Sequence, residues 1–165
     1  QVPWKKQVET IADAVGKEDE GDKLIDDTEK AFEEFRHEHA ELQDKSAAIV
    51  MPYDGKIGLY TEEDGRGQFI EDLGMEIPDA LQGDGGSFFV DIAPENYAKL
   101  NQVDYLFVLD YNGSSAALKK DKTFQGLDSV KDGRVRYLDT DTGNAMSMPN
   151  PVTIPWAVDK FEEKL

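Results

Sequence analysis

Residues 92–110 read IAPENYAKLNQVDYLFVLD, and the two halves of the stretch follow different rules. The second half, Tyr105-Leu106-Phe107-Val108-Leu109, is a continuous apolar run between Asp104 and Asp110. A run of that length, bounded by acids, reads as a buried strand. The first half predicts a short helix that starts at Pro94, because the fixed φ of proline suits a first helical turn. Glu95 stands just inside that start, where an acid stabilises a helix end by about a few tenths of a kcal/mol. A helix feeding a buried strand is the unit of an α/β protein, and the chain extends the pattern on both sides.

Toward the N-terminus, SAAIVMPY (46–53) reads as a second buried strand. Asp54-Gly55 turns it, and KIGLYT (56–61) returns antiparallel. GRGQFIEDLG (65–74) is a short helix closed by Gly74, and SFFVDI (87–92) is a weaker strand. Toward the C-terminus, SSAALKKD is helical, TFQGLDSVKDG (123–133) is a short helix and turn, and RVRYLD (134–139) is the next strand. TDTGNAMSMPNPVTIP (140–155) reads as a long polar loop, and WAVDKFEEKL (156–165) as a closing helix. Strands alternating with helices predict a mainly parallel sheet covered on both faces.

Two helices precede this pattern. Residues 3–15 place Trp4, Val8, Ile11 and Val15 at helical spacing, with Gly16 as the stop. KEDEGD (17–22) reads as a charged joint. Residues 22–42 then carry one stripe of Leu24, Ile25, Thr28, Ala31, Phe32, Phe35, His39 and Leu42, with charged residues elsewhere. Such a helix spans roughly 30 Å.

Composition narrows the function. The 165 residues hold 18 Lys and Arg against 35 Asp and Glu, a formal net charge of −17. Such a chain lacks the basic face that nucleic acid or an anionic membrane surface requires. There is no cysteine, which excludes thiol catalysis, disulfides and Cys-ligated metals. QVPWKKQVET has neither an initiator Met nor the apolar core of a signal peptide, so the chain reads as a trimmed piece of a longer one.

Catalytic motifs are not found. YNGSSA lacks the spacing of a nucleophile elbow, and no Gly-rich loop carries the Lys and Ser or Thr of a phosphate cradle. The histidines of RHEHAE are two apart on a helix and face different ways, so they are no metal pair. DTDTGN (139–144) resembles the opening of a calcium loop, but its glycine comes one position early and its twelfth position is Asn150. VDYLFVLDYNG resembles the phosphoacceptor strand of receiver domains, yet the partner strand ends in VMPYDG with a single acid, and RVRYLD lacks a terminal Lys. Asp110 therefore reads as a strand-end cap.

In open parallel sheets ligands bind beyond the carboxyl ends of the strands. That rule selects Met51–Asp54, Tyr111–Ser114 and Asp139–Met148, with Tyr60, Thr61 and Arg66 on the same rim. The set is rich in Tyr, Met, amides and hydroxyls, holds one Arg, and has no acid–base pair. It suits holding a large, partly apolar molecule rather than breaking bonds.

Four segments in order carry a resemblance over nearly the whole chain. PWKKQVETIADAVGKEDEGDKLIDDTEKAFEEF resembles the entry into the long inter-lobe helix of class III substrate-binding proteins of ABC importers. DGKIGLYTEEDGRGQFIEDLGMEIP is similar to their glycine-punctuated strand, loop and helix. DIAPENYAKLNQVDYLFV is similar to their S-x-E-x-L…L-x-x-D segment, with Ala93 where Ser is usual. TFQGLDSVKDGRVRYLD is similar to their W-x-x-L-x-A-V-x-x-G-R-V segment, with Phe124 where Trp is usual. EEDGRGQFIEDLG leans toward the iron-siderophore branch.

The resemblance implies a non-enzymatic protein of two α/β lobes joined by one long helix. This chain would supply the N-terminal helix and the long inter-lobe helix (1–45) and a C-terminal ligand-binding lobe (46–165). That lobe would be a three-layer, Rossmann-like α/β unit. The ligand implied is a ferric siderophore, with iron held by the siderophore, no covalently bound cofactor and no protein–metal bond. Met51, Tyr53, Tyr60, Thr61, Arg66, Tyr111, Asn112, Asn144 and Met146 are the expected ligand-binding residues. Arg66 is expected to be the cationic contact for an anionic ferric complex. Glu95 is expected to dock onto arginines of a membrane permease. The full-length protein is expected to be a monomer outside the cytoplasm, lipid-anchored on a Gram-positive surface or else periplasmic, with signal peptide and lipobox cysteine in the remaining half. A haem-binding relative, with Tyr53, Tyr60 or Met146 as axial ligand, a corrinoid-binding relative, and a stand-alone flavodoxin- or receiver-like domain are the alternative readings.

Overall fold

A computed structural model describes residues 2–165. Helix α1 (Trp4–Val15) ends at Gly16 in the left-handed conformation, and α2 (Glu18–Glu38) follows at once. The expected charged joint is therefore mostly helix: Glu18, Asp19 and Glu20 form the first turn of α2, where acids complement the helix dipole. Gly21 lets the two helices touch, since a Cβ there would lie 2.5 Å from Ala12 Cβ. The α helix closes at Glu38, and a single 3₁₀ turn (Ala40–Leu42) completes the expected length.

The lobe that follows has one five-stranded sheet. Its strands are β1 (Ala47–Tyr53), β2 (Lys56–Tyr60), β3 (Phe89–Ile92), β4 (Tyr105–Asp110) and β5 (Val135–Asp139). The spatial order is β3-β2-β1-β4-β5. β1, β4 and β5 pair in parallel, while β2 is antiparallel to both β1 and β3. Only β2 runs against the others, so the sheet is mainly parallel in direction. Met51 faces Gly58 across β1 and β2, and Tyr60 faces Phe89 across β2 and β3.

Helices cover both faces. On one side lie α3 (Gly65–Asp72), α7 (Thr140–Ser147) and α8 (Thr153–Glu162). Phe161 of α8 packs against Phe107 of β4 at 4.6 Å, Phe69 of α3 at 6.3 Å and Phe35 of α2 at 6.0 Å between ring centroids. These rings fasten the long helix to the lobe. On the other side lie a 3₁₀ segment (Pro94–Gln102) and the short helices α4 (Ala116–Lys120), α5 (Lys122–Gln125) and α6 (Asp128–Lys131). There Tyr97 and Phe124 meet edge to face at 6.4 Å. No described helix is long and apolar enough to cross a membrane.

Two polar clusters tie α2 down. Arg36 donates to the Asp72 carbonyl at the end of α3 (2.6 Å) and to Glu29 (3.2 Å), which Lys5 of α1 approaches at 2.9 Å. The His39 ring lies tilted against Phe35, 4.6 Å between centroids, and contacts Glu41 at 3.2 Å and Glu162 at 2.9 Å. Of the α1 residues at helical spacing, Trp4 is buried in the core, whereas Ile11 and Val15 are exposed.

The expected loop 140–155 is largely helix. Asp139 accepts the Thr142 backbone N–H at 2.8 Å and so caps α7, which buries Thr142, Gly143, Ala145 and Met146. Asn150 plays a similar part before α8, accepting the N–H groups of Val152 and Thr153.

Candidate functional site

The sequence GRG (65–67) sets the geometry of the strand-end rim. A Cβ on Gly65 would lie 2.4 Å from the Ser147 carbonyl oxygen, and one on Gly67 only 1.9 Å from that of Thr61. No residue with a side chain fits either place, so α3 begins in direct contact with the backbone after β2 and with the end of α7. Asp64 caps the helix by accepting the Arg66 N–H at 2.9 Å. Between the two glycines, Arg66 projects onto the rim.

Arg66 is anchored there by three of its five N–H groups. Its Nε donates to Asp64 Oδ1 at 2.7 Å and its Nη2 to Asp64 Oδ2 at 3.0 Å, a two-point ion pair. Its Nη1 donates to the Tyr111 hydroxyl at 3.2 Å. The guanidinium carbon sits 3.8 Å from the centroid of the Tyr60 ring. Burial alone would lower the pKa of the guanidinium, but Asp64, Tyr60 and Tyr111 outweigh it and hold the group above its ordinary value. The expected free cation is thus a neutralised pair, because Asp64 is buried directly beside it.

Around this pair lies a cavity of about 350 Å³, lined by Met51, Tyr53, Gly58, Tyr60, Asp64, Arg66, Phe88 and Phe89. Tyr60 donates its hydroxyl toward Met51 Sδ at 3.7 Å, and burial raises its pKa despite the nearby Arg66. Tyr53 donates to Asp91, which also pairs with Lys56 at 3.1 Å. Phe88 and Phe89 are about half exposed, at 51% and 47%. Neighbours in sequence, the two rings leave apolar surface on the cavity wall.

The expected site residues therefore divide. Met51, Tyr53, Tyr60 and Arg66 share the cavity wall, and Tyr111 joins them through Arg66. Asn112 is exposed at the end of β4, with its N–H on Thr140 Oγ1 at 3.1 Å. Asn144 is exposed on α7, beside Gly143, whose bare backbone accommodates the Tyr111 hydroxyl. Two residues depart from expectation. Thr61 is buried, and its hydroxyl is committed to the Ser87 carbonyl and the Glu63 N–H, so it braces the loop. Met146 is fully buried because its segment is a helix packed into the core, and it offers no surface to a ligand or an iron. The exposed methionine of that region is Met148.

Asp64, Phe88 and Phe89 were not among the expected residues. The N-cap position of Asp64 before GRG, and an apolar pair at the start of a weak strand, were the available signals. Glu95 lies away from this cavity, exposed in the first turn of the 3₁₀ segment.

Residues 2–142 match the family model described as periplasmic binding protein. The fold aligns with the iron-uptake ABC transporter substrate-binding protein PiaA of Streptococcus pneumoniae (28% identity, TM-score 0.81), covering 100% of this chain and 59% of that one. PiaA in complex with ferrichrome aligns with 25% identity and a TM-score of 0.82, over 100% and 58% of the two chains. FhuD2 of Staphylococcus aureus, solved with bound ferrioxamine B, shares the fold at 18% identity and a TM-score of 0.74, over 99% and 64%. The chain thus spans less than two thirds of the length of each of these structures. No curated protein matches it.

Proposed function

This chain belongs to the periplasmic binding protein family, a family of substrate-binding proteins rather than enzymes, and on that premise we propose that it forms one lobe of a ferric-siderophore receptor. In this reading the receptor serves an ABC importer outside the cytoplasm, and residues 46–165 supply one side of the ligand cleft. The observation that carries it is the open aromatic cavity centred on Arg66, in a chain that shares its fold and 25% of its sequence with a ferrichrome-bound protein. Tyr53, Phe88 and Phe89 offer ring surface to the organic shell of the chelate, while the Tyr60 ring backs Arg66. Arg66, held by Asp64 and Tyr111, turns its remaining N–H donors toward the oxygens around the iron. The siderophore holds the metal, so no protein ligand to iron is required.

Delivery is proposed to use Glu95. It is exposed and stands apart from the cavity, so one molecule can hold its ligand while that acid meets a basic residue of a permease. Such a charge pair sets orientation more than affinity. The test is titration of the full-length protein with ferric siderophores and, separately, with haemin, followed by intrinsic fluorescence and the Soret band. Quenching by a ferric siderophore supports the reading. A Soret shift with haemin and no response to any siderophore rejects it.

A further inference from the structure

Composition argues against a basic face, and for most of the chain that holds, but the charge is not spread evenly. From Lys99 to Arg136 the sequence carries seven basic residues against five acidic ones, whereas the remainder carries 11 against 30. The fold gathers this stretch into one layer. The 3₁₀ segment (Pro94–Gln102) meets α5, and α5 meets α4 and α6, on the sheet face opposite α3, α7 and α8. Building on the delivery reading, in which Glu95 of the same layer meets a permease, we propose that this layer rests on the anionic surface of the membrane that holds the permease.

Five exposed lysines form the contact: Lys99 on the 3₁₀ segment, Lys119 and Lys120 on α4, Lys122 on α5 and Lys131 on α6. None of them makes an ion pair with a described residue. Lys119 has a partner of another kind, the Tyr137 ring, whose centroid lies 4.5 Å from its ammonium. Lysines elsewhere are mostly matched, as Lys17 is by Glu20 at 3.0 Å and Lys56 by Asp91 at 3.1 Å. Most acids of the stretch are occupied. Asp104 accepts from Ser46 Oγ at 3.1 Å, Asp110 from the Ser115 N–H at 2.9 Å, Asp121 from the Phe124 N–H at 3.0 Å and Asp132 from Arg134 at 3.0 Å. Asp128 stands exposed among the lysines.

The residue types select the partner. Arg134 and Arg136, whose planar forks would grip carboxylates of an acidic protein, are turned to backbone carbonyls. What remains free are ammonium groups on flexible stems, spread over four elements, which suit a diffuse array of lipid phosphates. No well-exposed large apolar side chain of the described residues lies between Pro94 and Arg136, and no described helix can cross a membrane. The contact is therefore electrostatic and superficial. The acid-rich α2 does not cancel it, because α2 packs against α8 on the far side of the sheet, beyond the roughly 8 Å over which charges act at physiological salt.

The test mixes the unlipidated full-length protein with vesicles of phosphatidylcholine, or of equal parts phosphatidylcholine and phosphatidylglycerol, and reads the bound fraction by sedimentation. We expect at least about tenfold stronger binding to the anionic vesicles, lost at about 1 M salt, where screening acts within about 3 Å. A variant combining Lys99→Gln, Lys119→Gln, Lys120→Gln, Lys122→Gln and Lys131→Gln should lose that preference by at least about tenfold. A control combining Lys6→Gln, Lys17→Gln, Lys23→Gln, Lys30→Gln and Lys45→Gln has the same net charge and should bind as the wild type does. Equal binding of the wild type to both vesicles would overturn the proposal, as would equal losses in the two variants with both shown folded by circular dichroism. Soluble polyphosphate held as tightly as the anionic vesicles, phosphate for phosphate, would make the layer a polyanion site and overturn the membrane assignment. No permease is present in this assay, so its failure leaves the delivery and siderophore readings standing; those fail on iron uptake with Glu95→Lys and on the ligand titration.

Discussion

The guanidinium of Arg66 sits 3.8 Å from the centroid of the Tyr60 ring while its edge grips Asp64, so one side chain touches a ring, an acid and, through Nη1, the Tyr111 hydroxyl. The ring and the acid come from opposite sides of one loop, and Tyr111 comes from the 3₁₀ turn after β4. Removing the arginine therefore does two things at once. Arg66→Ala should weaken ferric-chelate binding by about 1.5–3 kcal/mol, the range for a hydrogen bond from a charged donor. It should also destabilise the fold by about 1–3 kcal/mol, because the buried Asp64 carboxylate is left with unsatisfied oxygens. Adding Asp64→Asn should restore part of the stability and none of the affinity. Urea midpoints and fluorescence titrations of the two variants separate the effects, and unchanged affinity in Arg66→Ala would remove that residue from the site.

Gly67→Ala should be more damaging than its size suggests. The new Cβ would lie 1.9 Å from the Thr61 carbonyl oxygen, a backbone atom that cannot move aside without shifting the end of β2. We expect a loss of about 2 kcal/mol or more in denaturant unfolding, together with weaker ligand binding as Arg66 and Tyr60 separate. Gly126→Ala, where a Cβ would meet carbonyl oxygens at only 3.4 Å, is the control and should cost far less.

Glu95→Lys should leave the fold and chelate affinity intact, because the residue is exposed and lies outside the cavity. Glu95→Ala should lower stability by no more than about 1 kcal/mol, the range of a helix-dipole contact. Iron uptake in cells should fall with Glu95→Ala and fall further with Glu95→Lys, which sets like charges face to face. Normal uptake with Glu95→Lys would end the docking role.

Glu71 offers a pH test. Partial burial of its carboxyl, then the charges of Glu62, Asp72, Glu76 and Asp79, push its pKa up to about 7. A carboxyl raised on folding favours the folded state while protonated. That contribution is complete below the ordinary carboxylate range and is lost as pH rises through about 7. Glu71→Gln should therefore raise the thermal midpoint relative to wild type at pH 8 and leave it nearly unchanged at pH 4. Because the residue is exposed, the gain should be small.

The strands were legible because burial on both faces leaves an unmistakable apolar run, as in Ala47–Val50 and Leu106–Leu109. Helix α7 was not. TDTGNAMS is polar, has a glycine in its middle and lacks a regular apolar stripe, so its helicity depends on the Asp139 cap and on packing beneath α3 and α8, which are tertiary facts. The same ignorance misplaced Met146, whose side chain points inward only because the segment is coiled. Arg66, Tyr60 and Met51 could be placed on one rim by the strand-end rule. Their neutralising partner could not, since an acid two residues before an arginine is ordinary in an acidic chain, and only the cap geometry of Asp64 turns it inward.

The antiparallel ribbon of β1, β2 and β3 has a further consequence. Met51, Tyr53, Gly58, Tyr60 and Phe89 reach the cavity because they share one parity along their strands, while Pro52, Ile57, Leu59 and Val90 share the other. An inserted or deleted residue early in β2 would flip that strand alone, turning Ile57 and Leu59 toward the cavity and Tyr60 to the opposite face, away from Arg66. Substitutions can redraw this wall one side chain at a time, and length changes are tolerable only in twos or in the turn at Asp54-Gly55. Descendants of this chain that change their ligand should therefore differ in the letters of these strands and agree in their spacing.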